Sequence, residues 1–461
     1  MTIPKNEDLA KQHFKAGNSM MDAGQIGPAV ESYRKAVATN PDFAEAHNNL
    51  GDALRELGKC EEAVKSLLRA LEINPNLVEA HYNLGNALQD LERHDDAVAS
   101  YRRALELRPN LAQAHNNMGV ALRELLRTDE AVASYRRALE LNPNYAEAHH
   151  NLGLCLLAMG RFSEGWPECE YRWEGSWLNL PRPSSILPLW RGETPAPGDG
   201  LLVFGEQGFG DRIQFSRYLN IAAKCFNGKV AVNVGQPLLG LFRRSFPNIT
   251  VLENVPDDQC AWKWQCPMLS LPIAFNTTLE TIPTATPYLF PDEAIKRRWK
   301  EKIAGLNLQP GALKIGIARR SYSNDKNVAR RSLTVRQISP LLETPNCAWL
   351  SLQKEPFYDD EATPGKVFDW AEEFSDFDDT AALAANLDMV ISTDTSVAHL
   401  AGALGLPTWL FNRHAGEWRW LVGRDDSPWY PTMKIFTQKT AGDWDGVVGR
   451  MSKELLAQKN Q

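Results

Sequence analysis

PDFAEAHNNLGDAL (residues 41–54) is followed by PNLVEAHYNLGNAL (75–88), PNLAQAHNNMGVAL (109–122) and PNYAEAHHNLGLCL (143–156). Pro41, Pro75, Pro109 and Pro143 stand 34 residues apart, as do Ala46, Ala80, Ala114 and Ala148, then His47, His81, His115 and His149, and Gly51, Gly85, Gly119 and Gly153. Four registers that agree define one repeated unit, and the period is that of stacked helix-turn-helix pairs. The second helices read EEAVKSLLRALEIN, DDAVASYRRALELR and DEAVASYRRALELN. Ala63, Ala97 and Ala131 fall where two helices must approach, and Leu50, Leu84, Met118 and Leu152 fill the space between helix pairs. The proline after each second helix cannot extend it, so it closes one unit and opens the next. Residues 8–40 read as a first, divergent unit, since Gly17 and Ala29 keep the register while Lys15 stands where Asn49 stands later. A fifth unit begins at Pro143 and loses the pattern after Phe162.

These segments closely resemble tetratricopeptide repeats. Asn49, Asn83, Asn117 and Asn151 form a ladder at the repeat period. In related solenoids such asparagines line a concave face, where an amide both donates to and accepts from an extended peptide, so the four are candidate acceptor-binding residues. Asparagine is equally an ordinary residue of the repeat. The four histidines are too far apart for a metal site and read as helix-surface or packing residues.

Beyond the repeats the composition changes. All 14 tryptophans lie at or beyond Trp166, and prolines gather at 167, 181, 183, 188, 195 and 197. The organisation expected is a solenoid over 1–177, a proline-rich linker over 178–198, a first Rossmann-like lobe over 199–290 and a second over 291–461 with a terminal helix. Fifty basic against 57 acidic residues give a net charge of −7, which argues against a general nucleic-acid binder. No apolar run long enough for a membrane span and no secretory signal are evident. The seven scattered cysteines, without a C-x-x-C, fit a reduced cytoplasm and suggest no zinc site. Self-association is left open.

From Leu201 short apolar runs alternate with helices: LLVF, a helix over about 212–225, KVAVNV, another helix and ITVLE. After a helix near 292–305 a second series follows: LKIGIA, a helix near 334–342, AWLSL, a helix near 378–386, MVIS, a helix from Ser396 to Leu404, PTWLF and KIF. That order predicts two doubly wound α/β lobes with parallel sheets, which bind ligands at the carboxyl ends of their strands. After LLVF comes GEQGFGDRIQFSRYL, with glycines at 205, 208 and 210. Gly208 and Gly210 at a helix start suit an anion or sugar-phosphate cradle. The order G-x-x-G-x-G, and a second strand ending without an acidic residue, disfavour a dinucleotide oxidoreductase. Asp211 reads either as a helix N-cap or as a general base. In LDMVISTDTSVAHLAGALGLPTWLF the turn of Thr393, Asp394, Thr395 and Ser396 offers hydroxyls and amides to a diphosphate, with His399 near the positive end of the helix.

DTSVAHLAGALGLPTWLF, GEQGFGDRIQFSRYL, WLSLQK and DSPWYP together resemble bacterial tetratricopeptide proteins whose C-terminal half is similar to the lipopolysaccharide heptosyltransferases, two-lobed GT-B glycosyltransferases of family 9 type. The domain order is also similar to that of the O-linked N-acetylglucosamine transferases. The resemblance implies a metal-independent, inverting transfer from a nucleotide-diphosphate sugar, which is a co-substrate and not a resident cofactor, to a protein, peptide or glycan acceptor recruited by the repeats. It places the catalytic base on Asp211 and the donor-diphosphate turn on Asp394, Thr395 and Ser396, with His399 behind them. Relatives carry Trp and Gly after the first strand of the second lobe, where Ala318, Arg319 and Arg320 stand here.

Departure of a diphosphate concentrates negative charge, which cations and amide dipoles must meet. Arg319, Arg320, Lys326, Arg330 and Arg331 are the candidate cations, of which one or two are expected at the site. Glu206 is the second choice for the base. Trp409, Trp418, Trp420 and Trp429 are expected chiefly in packing. The competing reading is a non-catalytic adaptor or scaffold that keeps a degenerate sugar-nucleotide fold.

Overall fold

The computed structural model describes residues 3–175, 187–257, 259–320, 330–358 and 366–458. The chain divides into two compact units, Met1–Cys155 and Leu156–Gln461. Among the described residues no helix is long and apolar enough to cross a membrane.

The first unit is a solenoid of paired helices. Ile3–Asp22 and Ile26–Thr39 form the divergent first pair, followed by Ala44–Glu56 with Cys60–Ile73, Val78–Asp90 with His94–Leu107, and Ala112–Glu124 with Thr128–Leu141. The helix Ala146–Ala158 carries the unit boundary. Close approach within each pair explains the periodic glycine. A Cβ on Gly51, Gly85 or Gly119 would stand 2.5, 2.4 or 2.6 Å from Leu67, Tyr101 or Tyr135 of the paired helix. The periodic alanines Ala63, Ala97 and Ala131 are fully buried for the same reason.

The repeated histidines and asparagines have structural roles. Nε2 of His47, His81, His115 and His149 lies 3.0, 2.9, 3.1 and 2.9 Å from the carbonyl of Pro41, Pro75, Pro109 and Pro143, stapling each unit's opening turn to its first helix. The asparagine ladder joins neighbouring units. Nδ2 of Asn49, Asn83, Asn117 and Asn151 donates to Oδ1 of Asn18, Asn48, Asn86 and Asn116, at 2.9, 3.0, 2.9 and 3.1 Å. The candidate acceptor-binding amides therefore already donate between repeats, and Asn117 also donates to the Tyr82 hydroxyl at 3.1 Å.

The second unit opens with the helix Phe162–Cys169 and a 3-10 turn, Glu170–Trp173. Two parallel sheets follow. In the first, β1 (Leu201–Phe204), β2 (Val230–Asn233), β3 (Thr250–Leu252) and β4 (Trp264–Pro267) lie in the order β3-β2-β1-β4. In the second, β5 (Leu313–Ala318), β6 (Cys347–Ser351), β7 (Val367–Phe368), β8 (Met389–Thr393), β9 (Thr408–Asn412) and β10 (Met433–Thr437) lie in the order β10-β9-β8-β5-β6-β7. Strands β1, β8 and β9 are buried along their whole length, as expected of a sheet covered on both faces.

The lobes are tied by a buried arginine of the first. Arg217 donates to the carbonyls of Pro283 and Trp429 at 3.1 and 2.6 Å and to the Tyr288 hydroxyl at 3.1 Å. It also lies over the rings of Tyr288, Trp429 and Tyr430. The pairing Arg244–Asp378 also joins the two lobes, and the buried pair Arg172–Glu206 ties the turn before the first lobe to its glycine-rich loop.

Candidate functional site

A cleft of about 800 Å³ opens at the carboxyl ends of the strands of both lobes. The first lobe contributes Gln207–Asp211 and Pro237. The second contributes Arg320 and Arg331 after β5, Leu352–Glu355 after β6, Asp394–Val397 and His399 after β8, and Glu417 and Arg419 after β9. Phe374, Ser375, Asp376, Phe377 and Thr380 complete the wall.

The glycine-rich loop begins its helix earlier than the sequence suggests. The helix is Phe209–Phe215, Gly208 is the N-cap and Asp211 is the third helical residue. Asp211 is thus not an N-cap; its Oδ2 accepts from the backbone N–H of Gly208 at 3.1 Å, which is half of a capping box. Its Oδ1 pairs with Arg419 of the other lobe. Gly210 serves close packing across the lobes, since a Cβ there would lie 2.9 Å from Cδ2 of His399. A Cβ on Gly208 would meet nothing nearer than Asp211 at 3.4 Å.

The turn after β8 carries the other half of the site. The helix Ser396–Ala403 starts behind Thr395, whose side chain makes no cap; its hydroxyl lies 3.2 Å from that of Ser392. The helix N-terminus therefore faces the cleft without a side-chain cap, a setting suited to an anion. Asp394 accepts from Arg331 Nη1 at 3.4 Å and lies 3.9 Å from His399 Nε2. His399 Nδ1 is 2.9 Å from the Tyr430 hydroxyl, and its ring stacks on Trp420 at 5.3 Å. Burial, reinforced by Arg419, Arg217 and Arg331, holds the imidazole pKa well below its usual range, so His399 is neutral at pH 7.

The expected cations separate. Arg320 and Arg331 line the cleft. Arg319 is 2% exposed and turned into the lobe, donating to the carbonyls of Phe357 and Leu333, so it is a core cation rather than a cleft one. Lys326 lies outside the described residues. Glu206 is no alternative base: it is buried away from the cleft in a two-bond pair with Arg172, both at 2.9 Å, and accepts from Leu269 N–H at 3.1 Å. Burial pushes its carboxyl up, against the pull of Arg172. Trp409, Trp418, Trp420 and Trp429 are all buried in packing.

Among the cleft residues not assigned from sequence, Arg419, Glu417 and Gln353 make the most specific polar contacts. Arg419 and Glu417 come from the loop after β9, and Glu417 Oε1 accepts from Arg419 Nη1 at 2.6 Å. Burial raises the Glu417 carboxyl pKa while Arg419 lowers it. Gln353, 3% exposed, accepts at Oε1 from the N–H groups of Arg319 and Arg320 at 2.7 and 3.2 Å. Its Nε2 is buried and has no hydrogen-bond partner among the described residues. Gln353 stands in the WLSLQK segment, two residues after the end of a buried strand, and no role was attached to it there.

The family described as TPR repeat matches residues 17–58, 51–92 and 122–160, and the tetratricopeptide repeat family matches 78–111. The N-terminal unit is therefore a tetratricopeptide-repeat array. Protein FlbA of Caulobacter vibrioides is 28% identical over 326 residues, covering 65% of this chain and 53% of FlbA. The chain thus spans about half the length of that curated relative. Among solved structures, MamA residues 41 to the end from Desulfovibrio magneticus RS-1 is 20% identical, covering 36% of this chain and 93% of that one, with a TM-score of 0.33. YrrB, described as a TPR protein with an unusual peptide-binding site, is 22% identical, covering 38% and 89%, also with a TM-score of 0.33.

Proposed function

We propose that the second unit is a GT-B-type glycosyltransferase that moves a sugar from a nucleoside-diphosphate sugar to an acceptor held by the repeats. The supporting observation is that an uncapped helix N-terminus with Arg331 beside it faces the same cleft as Asp211 of the opposite lobe. The diphosphate binds at Thr395, Ser396 and the first amides of that helix, where the dipole and Arg331 meet its charge without a metal. The acceptor oxygen attacks the anomeric carbon from the first-lobe side. As the bond to the phosphate oxygen breaks, its electron pair passes to the diphosphate and the acceptor proton passes to Asp211. A single displacement of this kind inverts the anomeric centre. Neutral His399, held by Tyr430 and Trp420, backs the phosphate turn without adding charge. A reduced, cytoplasmic setting fits the dispersed cysteines.

The adaptor reading has one observation in its favour: both oxygens of Asp211 already accept a hydrogen bond or an ion pair. Thermal unfolding with ADP-, UDP-, GDP- and CMP-sugars separates the two. One class is expected to stabilise the second unit, by about 2.7 kcal/mol at 100 times its dissociation constant. No stabilisation by any of them at millimolar concentration contradicts a nucleotide-sugar site.

A further inference from the structure

We infer that Arg419 is a positioning residue for Asp211, holding the acceptor-side carboxylate from the donor-side lobe; the inference rests on the glycosyl-transfer reading above. The guanidinium uses three different nitrogens. Nη2 pairs with Asp211, Nε donates to Oε1 of Gln214 at 2.5 Å, and Nη1 pairs with Glu417 at 2.6 Å. Asp211 and Gln214 belong to the first-lobe helix, whereas Glu417 and Arg419 follow β9 of the second lobe. The Trp418 ring lies 4.7 Å from the guanidinium carbon and covers it. The Arg419 side chain is 9% exposed, so solvent screens these charges little.

This arrangement fixes Asp211 more tightly than a helix cap requires. A cap needs only the Oδ2 contact with Gly208, while the second oxygen is oriented by a cation 208 positions further along the chain. Glu417 shares that cation, so the guanidinium is held from its own lobe and cannot follow Asp211 if the lobes part. Its planar fork matters as much as its charge, because one lysine ammonium cannot span the three partners. Asp211 therefore keeps its orientation only while the lobes are joined at Arg419, which couples the base to the closed cleft.

The test compares wild type with Arg419→Lys and Glu417→Gln, the second variant serving if the first does not fold. For each, kcat and KM for the nucleotide sugar are measured with amide hydrogen exchange over residues 208–214. Both variants are expected to lose roughly 10- to 100-fold in kcat while KM stays within about twofold, since misplacement by an ångström costs on that order. Exchange over 208–214 is expected to quicken. A KM rise with kcat unchanged would place Arg419 in donor binding and overturn the inference, as would unchanged exchange together with unchanged kcat. If wild type transfers no sugar from any nucleotide donor, the transfer reading falls, and exchange alone decides whether Arg419 orders the loop.

Discussion

The repeat unit and the second unit use polar residues in opposite ways. In the repeats, what recurs at the period forms the same bond each time: histidine to the opening proline carbonyl, asparagine to the preceding repeat, glycine against the paired helix. In the second unit, the polar residues that matter occur once and meet across long stretches of chain, as Arg244 does with Asp378 and Asp211 with Arg419. Periodicity therefore reports packing, and the chemistry gathers where the sequence has no period.

The largest expected effect lies in the aperiodic unit. Arg172→Ala leaves Glu206 buried and uncompensated, at a cost of about 3–5 kcal/mol. Thermal denaturation of the full chain is expected to show the second unit melting early while the repeats hold. A loss below about 1 kcal/mol would mean that the pair is no more than the exposed bridges of the solenoid.

Asp211→Asn comes next. The amide keeps an oxygen for Gly208 or Arg419 but cannot serve both or take the acceptor proton, so turnover is expected to fall roughly 100-fold or more, with a lower melting temperature as the buried pair with Arg419 is lost. Turnover near wild type reduces Asp211 to a helix-terminal residue.

In the repeats the sharpest test is steric. Gly85→Ala places a methyl 2.4 Å from Tyr101 Cε1 and is expected to cost about 1–3 kcal/mol, read from chemical denaturation of the first unit. Gly58→Ala, at a glycine with nothing within 4 Å but φ of +76°, gives the cost of backbone strain without crowding, and a loss below about 0.5 kcal/mol at Gly85 would remove crowding as a constraint.

The smallest effect is in pH dependence. His399 stays neutral in the fold but protonates near pH 6.5 once unfolded, so below that pH the unfolded state binds the extra proton and stability falls. The contribution is about 1.4 kcal/mol per pH unit at most, down to the depressed folded pKa. Comparing wild type with His399→Gln between pH 5 and 7 isolates it; identical slopes would show that His399 titrates normally.

Much of this was legible in the sequence. The repeat register is readable because every unit reports the same packing constraint, and eight strands are readable as apolar runs. The strands β4 and β7 escaped, one ending in a proline and the other only two residues long. Of the site, the loops bearing Asp211, Asp394, Thr395, Ser396 and His399 line one cleft. Arg319 went astray because charge in a strand-end loop looks the same whether it faces a ligand or ties down carbonyls. Arg419 and Glu417 were missed because nothing local marks an arginine whose partner lies in the other lobe.

Calorimetric titration of the full chain with ADP, UDP, GDP and CMP, repeated on a Thr395→Ala/Ser396→Ala variant and an Asn83→Ala/Asn117→Ala variant, tests the division between the units most directly. The account predicts that one nucleotide binds wild type and the repeat variant alike, and binds the phosphate-turn variant at least about tenfold more weakly, a loss of roughly 1.4 kcal/mol. Equal binding to all three proteins, or weakening confined to the repeat variant, would contradict it.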